Sequence, residues 1–225
     1  MDAADLRPLA ATTLVDAWPL FGLRIRSERL VLRLPTDDDL LALLDLAKAG
    51  IHPADEMPFG VAWSVEPSPA FERGFVGHHW VSRGGWSVDD WALNLLVESD
   101  GQPIGSQSIV AKAFAVHRTV DTGSWLGRAY QGRGFGREMR SAVLAFAFDG
   151  LGARYAESSA FLDNAASNAV SRGLGYEDNG RGALAPQGVS RETQRFRMSA
   201  EGWRSRPRPQ VTIEGLDPCR ELFGA

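Results

Sequence analysis

The stretch Tyr130-Gln131-Gly132-Arg133-Gly134-Phe135-Gly136-Arg137 decides how the rest of the chain is interpreted. It lies between a predicted strand and a predicted helix, and its three glycines stand at every second position. Glycine lets the backbone turn tightly and approach a ligand closely. Several N–H groups then face one concavity at a helix N-terminus, whose partial positive charge favours phosphate. With the charges of Arg128, Arg133 and Arg137 nearby, the stretch predicts a phosphate-binding turn.

The spacing of these glycines distinguishes among the known classes of nucleotide-binding loop. The stretch lacks the Gly-x-Gly-x-x-Gly pattern of a dinucleotide-binding turn, and it lacks the Gly-Lys-Ser/Thr ending of an ATP- or GTP-binding loop. A nucleotide-dependent oxidoreductase or kinase is therefore disfavoured. The pattern that remains is Gln131-x-x-Gly134-x-Gly136. A glycine-rich strand-to-helix turn without any ligand is the alternative interpretation.

Hydrophobic periodicity places regular elements on both sides of this turn. Alternating apolar residues predict strands, and apolar residues at helical spacing, such as Phe135, Met139, Val143 and Phe146, predict helices. Asp100-Gly101 between two apolar runs indicates a hairpin. The predicted strands are 29–34, 91–98, 103–111, 120–126, 155–161 and 191–198, and the predicted helices are 37–48, 68–83, 135–149 and 165–172. This order predicts one mixed α/β domain.

The chain divides into three parts by pattern. Residues 1–22 form an N-terminal arm with a Trp18-Pro19-Leu20-Phe21 anchor, and residues 23–205 form the domain. Residues 206–225 form a C-terminal tail, in which Val211-Thr212-Ile213 is interpreted as an edge strand or as part of a homodimer contact.

Composition excludes several classes of protein. A net charge of −4 at pH 7 argues against a nucleic-acid-binding protein, which shows a basic footprint. Cys219 is the single cysteine, so no disulfide forms within the chain. The four histidines lack the spacing of metal ligands, and no metal is expected. The longest apolar run, 142–148, is too short to cross a bilayer, and no signal peptide is evident; a cytoplasmic location without membrane attachment is expected.

The region 119–180 resembles the GNAT superfamily of acyltransferases. The resemblance rests on the strand that leads to Gly123 and Trp125, on Gln131-x-x-Gly134-x-Gly136, on Asn164 and Ser167, and on Gly175-Tyr176. Residues 29–46 are similar to the same ribosomal-protein-alanine N-acetyltransferase branch. Further blocks are similar to a mycobacterial GNAT succinyltransferase: Met57-Pro58-Phe59, Asp89-Asp90-Trp91, 120–127, Val170-Ser171-Arg172 and Cys219-Arg220 with Leu222-Phe223-Gly224.

The resemblance implies the fold and the cosubstrate. It implies a single α/β (α+β) domain with a mixed, mostly antiparallel sheet, helices on both faces, and a splay between the fourth and fifth strands. It implies acetyl-CoA or succinyl-CoA as cosubstrate, with the thioester in the splay. The implied coenzyme contacts are Trp125, Leu126, Gly127, Gln131, Gly132, Arg133, Gly134, Phe135, Gly136, Arg137, Asn164 and Ser167. Asn164 is equally suited to be the N-cap of the following helix.

The transfer of an acyl group to an amine needs a base, because the amine must lose a proton before or during its attack. Asp121 is the first candidate, and strand alternation puts it on one face with Gly123 and Trp125. A solvated aspartate at a strand end is the alternative, and Glu157 and His117 are weaker candidates. The Leu126 N–H is expected to face the thioester oxygen.

The leaving thiolate accepts a proton, and many GNAT enzymes supply it from a tyrosine of the second helix. That position is Ser171 in this chain, so Ser167 is proposed as a substitute or as a coenzyme contact. Cys219 could in principle carry an acyl group, but it has no base beside it in sequence and is interpreted as structural.

Two functions remain open. The first is an N-acyltransferase that moves an acetyl or succinyl group to a protein N-terminus, a lysine or a small amine by direct attack. The second is a non-catalytic acyl-CoA sensor or interaction domain. The acceptor is expected beside the segment 50–90 and the helix 37–48, where Phe59, Trp63, Trp80 and Trp86 line a channel or anchor the core. Lys112, His117 or an arginine would pair with a succinyl carboxylate.

Overall fold

The computed structural model describes residues 12–207 and 209–225. These residues form a nine-stranded sheet with helices on both sides. The strands are β1 Arg24–Arg26, β2 Val31–Arg33, β3 Asp90–Ser99, β4 Gln102–Lys112, β5 Thr119–Leu126, β6 Tyr155–Phe161, β7 Glu177–Leu184, β8 Arg191–Ser199 and β9 Thr212–Glu214. The helices are α1 Leu14–Ala17, α2 Asp37–Lys48, α3 Ala70–Gly84, α4 Phe114–His117, α5 Phe135–Ala145, α6 Ala165–Leu174, α7 Ala200–Arg204 and α8 Arg220–Phe223.

The strand order is β7-β8-β6-β5-β4-β3-β2-β1-β9. Every neighbouring pair is antiparallel except β5 and β6, which run parallel. Their pairing is confined to Thr119–Asp121 against Tyr155–Glu157. Beyond that point each strand continues alone on this side, which opens a gap in the middle of the sheet. The splay expected between the fourth and fifth strands is confirmed; the two strands become β5 and β6 because β1 precedes them.

The sheet separates two hydrophobic clusters. Leu96 of β3 belongs to a cluster with Leu43 of α2 and Phe75 of α3. Its neighbours Leu95 and Val97 point the other way, into the main core beneath α5 and α6. Because side chains alternate along a strand, α2 and α3 cover one face and α5 and α6 cover the other. The expected single mixed α/β domain with helices on both faces is confirmed.

Local sequence explains the start of α2. Thr36 accepts a hydrogen bond from Asp39 N, and the Asp39 carboxylate accepts one from Thr36 N, which closes a capping box. Asp37, Asp38 and Asp39 in the first turn also suit the helix dipole. From the sequence, Leu40, Leu41, Leu44 and Leu46 are predicted to form the apolar face of this helix, and this prediction is partly wrong. Leu41 is 56% exposed, and Leu43 is buried instead.

The hairpin at Asp100-Gly101 is confirmed, since both residues have positive φ, at 51° and 72°. The predicted strand 29–34 is shorter, because only Val31–Arg33 pairs, and Arg24–Arg26 adds a strand before it. β7 was not predicted. Its residues Glu177–Leu184 include two glycines and four charged or amide side chains, and most are exposed. A strand that buries little has no alternating apolar signal.

The C-terminal residues complete the sheet and the core. β9 pairs with β1 at the sheet edge, as the edge-strand interpretation expected; a dimer contact there stays a prediction. Phe223 and Cys219 are fully buried in the main core, and Trp86 Nε1 donates to Leu222 O at 2.9 Å. Burial raises the pKa of the Cys219 thiol to about 11, which suits a structural residue. Residues 1–11 of the predicted arm lie outside the described residues.

No helix in the described ranges is long and apolar enough to cross a membrane.

Candidate active site

The candidate site is the gap between β5 and β6. Beyond the pair Asp121–Glu157, β5 stays bonded to β4 along its other edge, and Gly127 N donates to Ile104 O at 3.0 Å. Backbone groups of an antiparallel strand alternate between its two edges. The N–H groups of Leu126 and Ser124 therefore point away from β4 and into the gap.

This alternation determines which of the predicted backbone contacts face the gap and which face β4. Leu126 faces the gap with its N–H, while the alternation directs the backbone groups of Trp125 and Gly127 towards β4. Packing explains why residue 127 is a glycine, because a Cβ at this position would lie 2.5 Å from Leu46 Cδ1. Trp125, Leu126 and Gly127 are all expected coenzyme contacts, and of their three backbone amides the structure brings that of Leu126 to the gap.

The glycine turn lies where β5 ends, at the open end of the gap. Gly132 and Gly134 adopt φ of +71° and +84°, a region that favours glycine. Gly134 precedes α5, and no side chain caps the helix. The first N–H groups of a helix have no intrahelical acceptor, so those at Phe135, Gly136 and Arg137 are available to an anion.

Gln131 has a positioning role. Its Nε2 donates to Leu126 O at 2.9 Å and to Ile51 O at 2.6 Å. The side chain thus joins the glycine turn to the end of β5 and to the segment after α2. The glutamine of the pattern holds the turn in place beside the gap.

Three arginines surround the turn. Arg128 and Arg133 are exposed, and Arg137 donates to Gly173 O of α6 at 3.1 Å. Within the described part of the chain, none of the three forms an ion pair with a carboxylate. The carboxylate of Glu138 is instead engaged by Arg29. The positive charges at the turn are therefore not neutralised by a carboxylate and can meet phosphate charge.

Asp121 lies at the closed end of the gap, opposite Glu157 in the strand register. Both line a cleft of about 260 Å³ on the same side of the sheet as α2 and α3, together with Ser159 and Arg195. Asp121 is an exposed residue, but the protein around its carboxyl group reduces hydration and raises its pKa to about 6. The charge of Arg140 opposes this increase, and the nearby charge of Glu157 adds to it. A carboxylate with this pKa is suited to accept a proton near neutral pH.

Glu157 is held differently from Asp121. Arg197 Nε donates to its Oε1 at 2.8 Å, so its charge is already paired. His117 is exposed at the end of α4, four residues before Asp121, and Lys112 pairs with Asp90 at the surface. Of the three candidate bases, Asp121 has the environment that a base needs.

α6 borders the gap from the other side. Asn164 accepts a hydrogen bond from Ser167 N at 3.0 Å, so it is the N-cap of α6, as its alternative interpretation expected. Ser167 is half-buried one turn later. Asn168 and Ser171 lie further along the buried side, and Asn168 Oδ1 and Ser171 Oγ are buried without a hydrogen-bond partner.

A polar network that was not predicted from sequence lies under the gap, around Arg140 of α5. Nη1 donates to Ser158 Oγ of β6 at 2.9 Å, and Nη2 donates to Ser124 Oγ of β5 at 3.2 Å. Tyr176 lies 3.4 Å from Thr122 Oγ1 and also contacts Arg140. Arg140 follows the buried Met139 and precedes Val143 by three residues. An arginine beside the apolar stripe of a helix was the one feature of the sequence that could have indicated a buried arginine here.

The aromatic residues divide between two places. The ring centroid of Trp63 lies 6.0 Å from that of Trp125, 5.8 Å from that of Phe75 and 5.2 Å from that of Phe59. These rings lie on the side of the sheet that α2 and α3 cover. Trp86 stacks on Trp91 in the main core, and Trp80 is exposed on α3. Of the residues expected to line a channel, Trp63 packs against Trp125 of β5, and Phe59 packs against Trp63.

No three His, Cys, Asp or Glu side chains of residues 12–207 and 209–225 are grouped so that they could hold a metal ion.

Solved structures share this fold at low identity. Mycobacterium smegmatis RimJ in complex with CoA-disulfide is 20% identical, with 84% of this chain and 88% of that chain covered and a TM-score of 0.63. RimL, a ribosomal L7/L12 alpha-N-protein acetyltransferase in complex with coenzyme A, is 19% identical, with 77% and 95% covered and a TM-score of 0.59. The microcin C7 self immunity acetyltransferase MccE, in complex with acetyl-CoA and AMP, is 18% identical, with 76% and 93% covered and a TM-score of 0.59.

Sequence assigns the family independently of these structures. Residues 29–177 match the profile described as "Acetyltransferase (GNAT) domain", which spans the sheet from β2 to the start of β7 and includes the gap, the glycine turn and α6. The chain belongs to the GNAT acetyltransferase family.

Proposed function

We propose that this enzyme transfers an acetyl or succinyl group from coenzyme A to an amine by direct attack. The observation that carries the proposal is the gap between β5 and β6, with an uncapped, arginine-rich helix N-terminus at its open end and Asp121 at its closed end. Phosphate binding and proton removal are thus provided at the two ends of one opening.

The chain's residues fit an acyl-CoA in this opening. The free N–H groups of α5 and the arginines at the turn suit the pyrophosphate. The open edge of β5, where the Ser124 N–H also faces the gap, suits the amides of a pantetheine arm, which adds to a strand edge as a peptide does.

In the proposed reaction, Asp121 takes the proton of the amine, directly or through water. The Leu126 N–H donates to the thioester oxygen, where negative charge develops during attack. The amine enters from the cleft that Asp121 lines together with Glu157 and Arg195. Asp121 is the carboxylate of this cleft that pairs with no arginine among the residues that the structure describes, and its raised pKa suits it to accept the proton of the amine.

The amine class is a protein N-terminus, a lysine or a small amine. RimL is named for a protein N-terminus, and MccE was solved with AMP beside acetyl-CoA. Both kinds of acceptor therefore belong in the first screen.

A non-catalytic acyl-CoA sensor is the second candidate. Ser171 favours it, since this buried residue stands where many relatives of this fold carry a tyrosine acid. A sensor and an enzyme bind the same coenzyme and differ only in turnover.

The release of free thiol from acetyl-CoA and from succinyl-CoA tests the proposal. A panel of small amines, lysine and short peptides with free N-termini is supplied in turn, and the thiol is measured with and without each amine. The proposal expects release that depends on both enzyme and amine. Binding of the coenzymes with no amine-dependent release from any member of the panel would favour the sensor.

A further inference from the structure

Arg140 is a buried cation that forms no ion pair with a carboxylate in the described ranges, although its charge lowers the pKa of Asp121 from across the sheet. It is 4% exposed, and its Nε is buried without an acceptor. A buried charge is costly unless it is paired. The chain keeps such a charge under the gap, where the reacting end of the cosubstrate is proposed to lie.

The position of Arg140 is fixed from both sides of the gap. Its two terminal nitrogens hold Ser124 of β5 and Ser158 of β6, which lie on strands that no longer pair with each other. The guanidinium therefore spans the gap from the α5 side, while Asp121 and Glu157 flank it from the α2 side. A base and a cation thus stand on opposite faces of one opening.

We propose that Arg140 stabilises the negative charge on the sulfur of the departing coenzyme A. This inference rests on the proposed acyl transfer. The amine lone pair forms the new bond to the thioester carbon, the carbon–sulfur bond breaks, and sulfur leaves with that electron pair as a thiolate. The amine proton goes to Asp121. The positive charge that remains at Arg140 faces the new negative charge, so no proton donor is required at the helix position of Ser171.

The surrounding groups suit this role. Tyr176, which contacts Arg140, is buried, and burial raises its pKa above its ordinary value, so the phenol stays neutral and is a poor acid. Ser124 and Ser158 are neutral. The charged groups that face the gap are Asp121 on β5, Glu157 on β6, and Arg195 and Arg197 on β8.

The test compares coenzyme A with desulfo-coenzyme A, which lacks only the thiol. Affinities for these two ligands are measured by calorimetry for wild type and for Arg140→Gln between pH 7 and 9.5, and affinities for acetyl-CoA and succinyl-CoA are measured at pH 7. This window lies above the pKa of Asp121, which is about 6, and contains the ordinary thiol range, with a pKa of about 8.5 for cysteine.

The expected result follows from linkage. If Arg140 lowers the pKa of the bound thiol, the affinity for coenzyme A relative to desulfo-coenzyme A rises with pH, by up to about tenfold for each unit of lowering. Arg140→Gln is expected to lose this rise while it still binds desulfo-coenzyme A, and Arg140→Lys to restore part of it. Arg172→Gln removes an arginine that pairs with Asp178 at the surface and is the matched control, expected to behave as wild type.

Three outcomes would overturn the inference. The first is a wild-type affinity ratio that does not change with pH, and the second is an Arg140→Gln variant that keeps the wild-type rise. The third is an effect of Arg140→Gln confined to succinyl-CoA, which would assign the arginine to an acyl carboxylate. Failure of the wild type to bind coenzyme A, desulfo-coenzyme A and acetyl-CoA alike would instead refute the proposed function.

Discussion

Asp121 carries the proton transfer in this account, and its properties arise from its place in the sheet. It is the last residue of β5 that pairs with β6, so its carboxyl stands at the edge of the gap beside a second carboxylate. Reduced hydration raises its pKa to about 6, and the neighbouring charge of Glu157 adds to the increase.

Asp121→Asn is expected to lower kcat/KM by roughly 10²–10⁴-fold, the usual contribution of a general base. For wild type, kcat/KM should rise with pH below about 6 and level off above it, because only the ionised Asp121 accepts a proton. Initial rates from pH 5 to 8 measure both effects. A variant with the full rate and the same acidic limb would remove Asp121 from the mechanism.

Glu157→Gln separates the two carboxylates. The change removes a charge that raises the pKa of Asp121 and frees Arg197, so the acidic limb should move to lower pH while the rate at pH 8 stays close to wild type. A loss of rate at pH 8 as large as that of Asp121→Asn would show that Glu157 is the base.

At this scale the sequence predicted some residues and missed others. Asp121 and the Leu126 amide could be assigned to the site from sequence, because strand alternation and the family resemblance both concern residues that are close together in the chain. Arg140 and Asn168 could not be assigned to the site from sequence, because their surroundings depend on burial and on strands far away in sequence. An arginine in a helix is normally solvated, and only the fold shows that this one is not.

At the scale of elements, the glycine turn with α5 is the unit that would hold the coenzyme. Two residues with positive φ aim the first amides of α5 at one point, and the Gln131 side chain fixes the turn to β5. Binding therefore depends on backbone conformation as much as on side-chain charge.

Gly134→Ala is expected to weaken the binding of coenzyme A at least tenfold. An alanine at φ +84° costs roughly 1–2 kcal/mol in a left-handed conformation, and the backbone relieves this strain by turning the amides away. Isothermal calorimetry gives the affinity.

Gly152→Ala is the matched control, since Gly152 has φ +70° and open space at its Cβ but lies away from the gap, after the π-helical segment Phe146–Gly150. Both variants should lose similar stability, and only Gly134→Ala should lose affinity. Equal affinities for the two variants would contradict the assignment of the turn.

Elements with strong local signals could be predicted, and those without could not. The α2 capping box, the Asp-Gly hairpin and the apolar stripe of α5 are encoded within a few residues. β7 is held by its pairing with β8 and buries little, so its polar sequence carries no strand pattern.

At the scale of the whole molecule, the C-terminal residues close the core. Phe223 contacts Trp86, Trp91 and Phe146 with ring-centroid distances of 5.0–5.6 Å, and β9 covers the edge of β1. From the sequence this part is predicted to be a tail, because β9 and α8 are too short for hydrophobic periodicity to be informative.

Phe223→Ala should lower the free energy of unfolding by about 3–5 kcal/mol, the usual cost of removing a buried phenylalanine. Val189→Ala, at an exposed position, should change it by less than about 0.5 kcal/mol. Urea denaturation followed by tryptophan fluorescence provides both values. A Phe223→Ala variant as stable as Val189→Ala would show that the C-terminal segment does not pack as described.

The central claim is that the gap and the glycine turn bind an acyl-CoA. The most direct measurement is the thermal stabilisation of the purified protein by acetyl-, succinyl- and free coenzyme A, with NAD and ATP as controls. A ligand that binds only the native state adds about 2.7 kcal/mol at a concentration one hundred times its Kd. The account predicts a rise in Tm with the coenzyme A compounds and none with NAD or ATP. No rise with any coenzyme A compound at millimolar concentration would contradict it and leave Gly132–Gly136 as a structural turn.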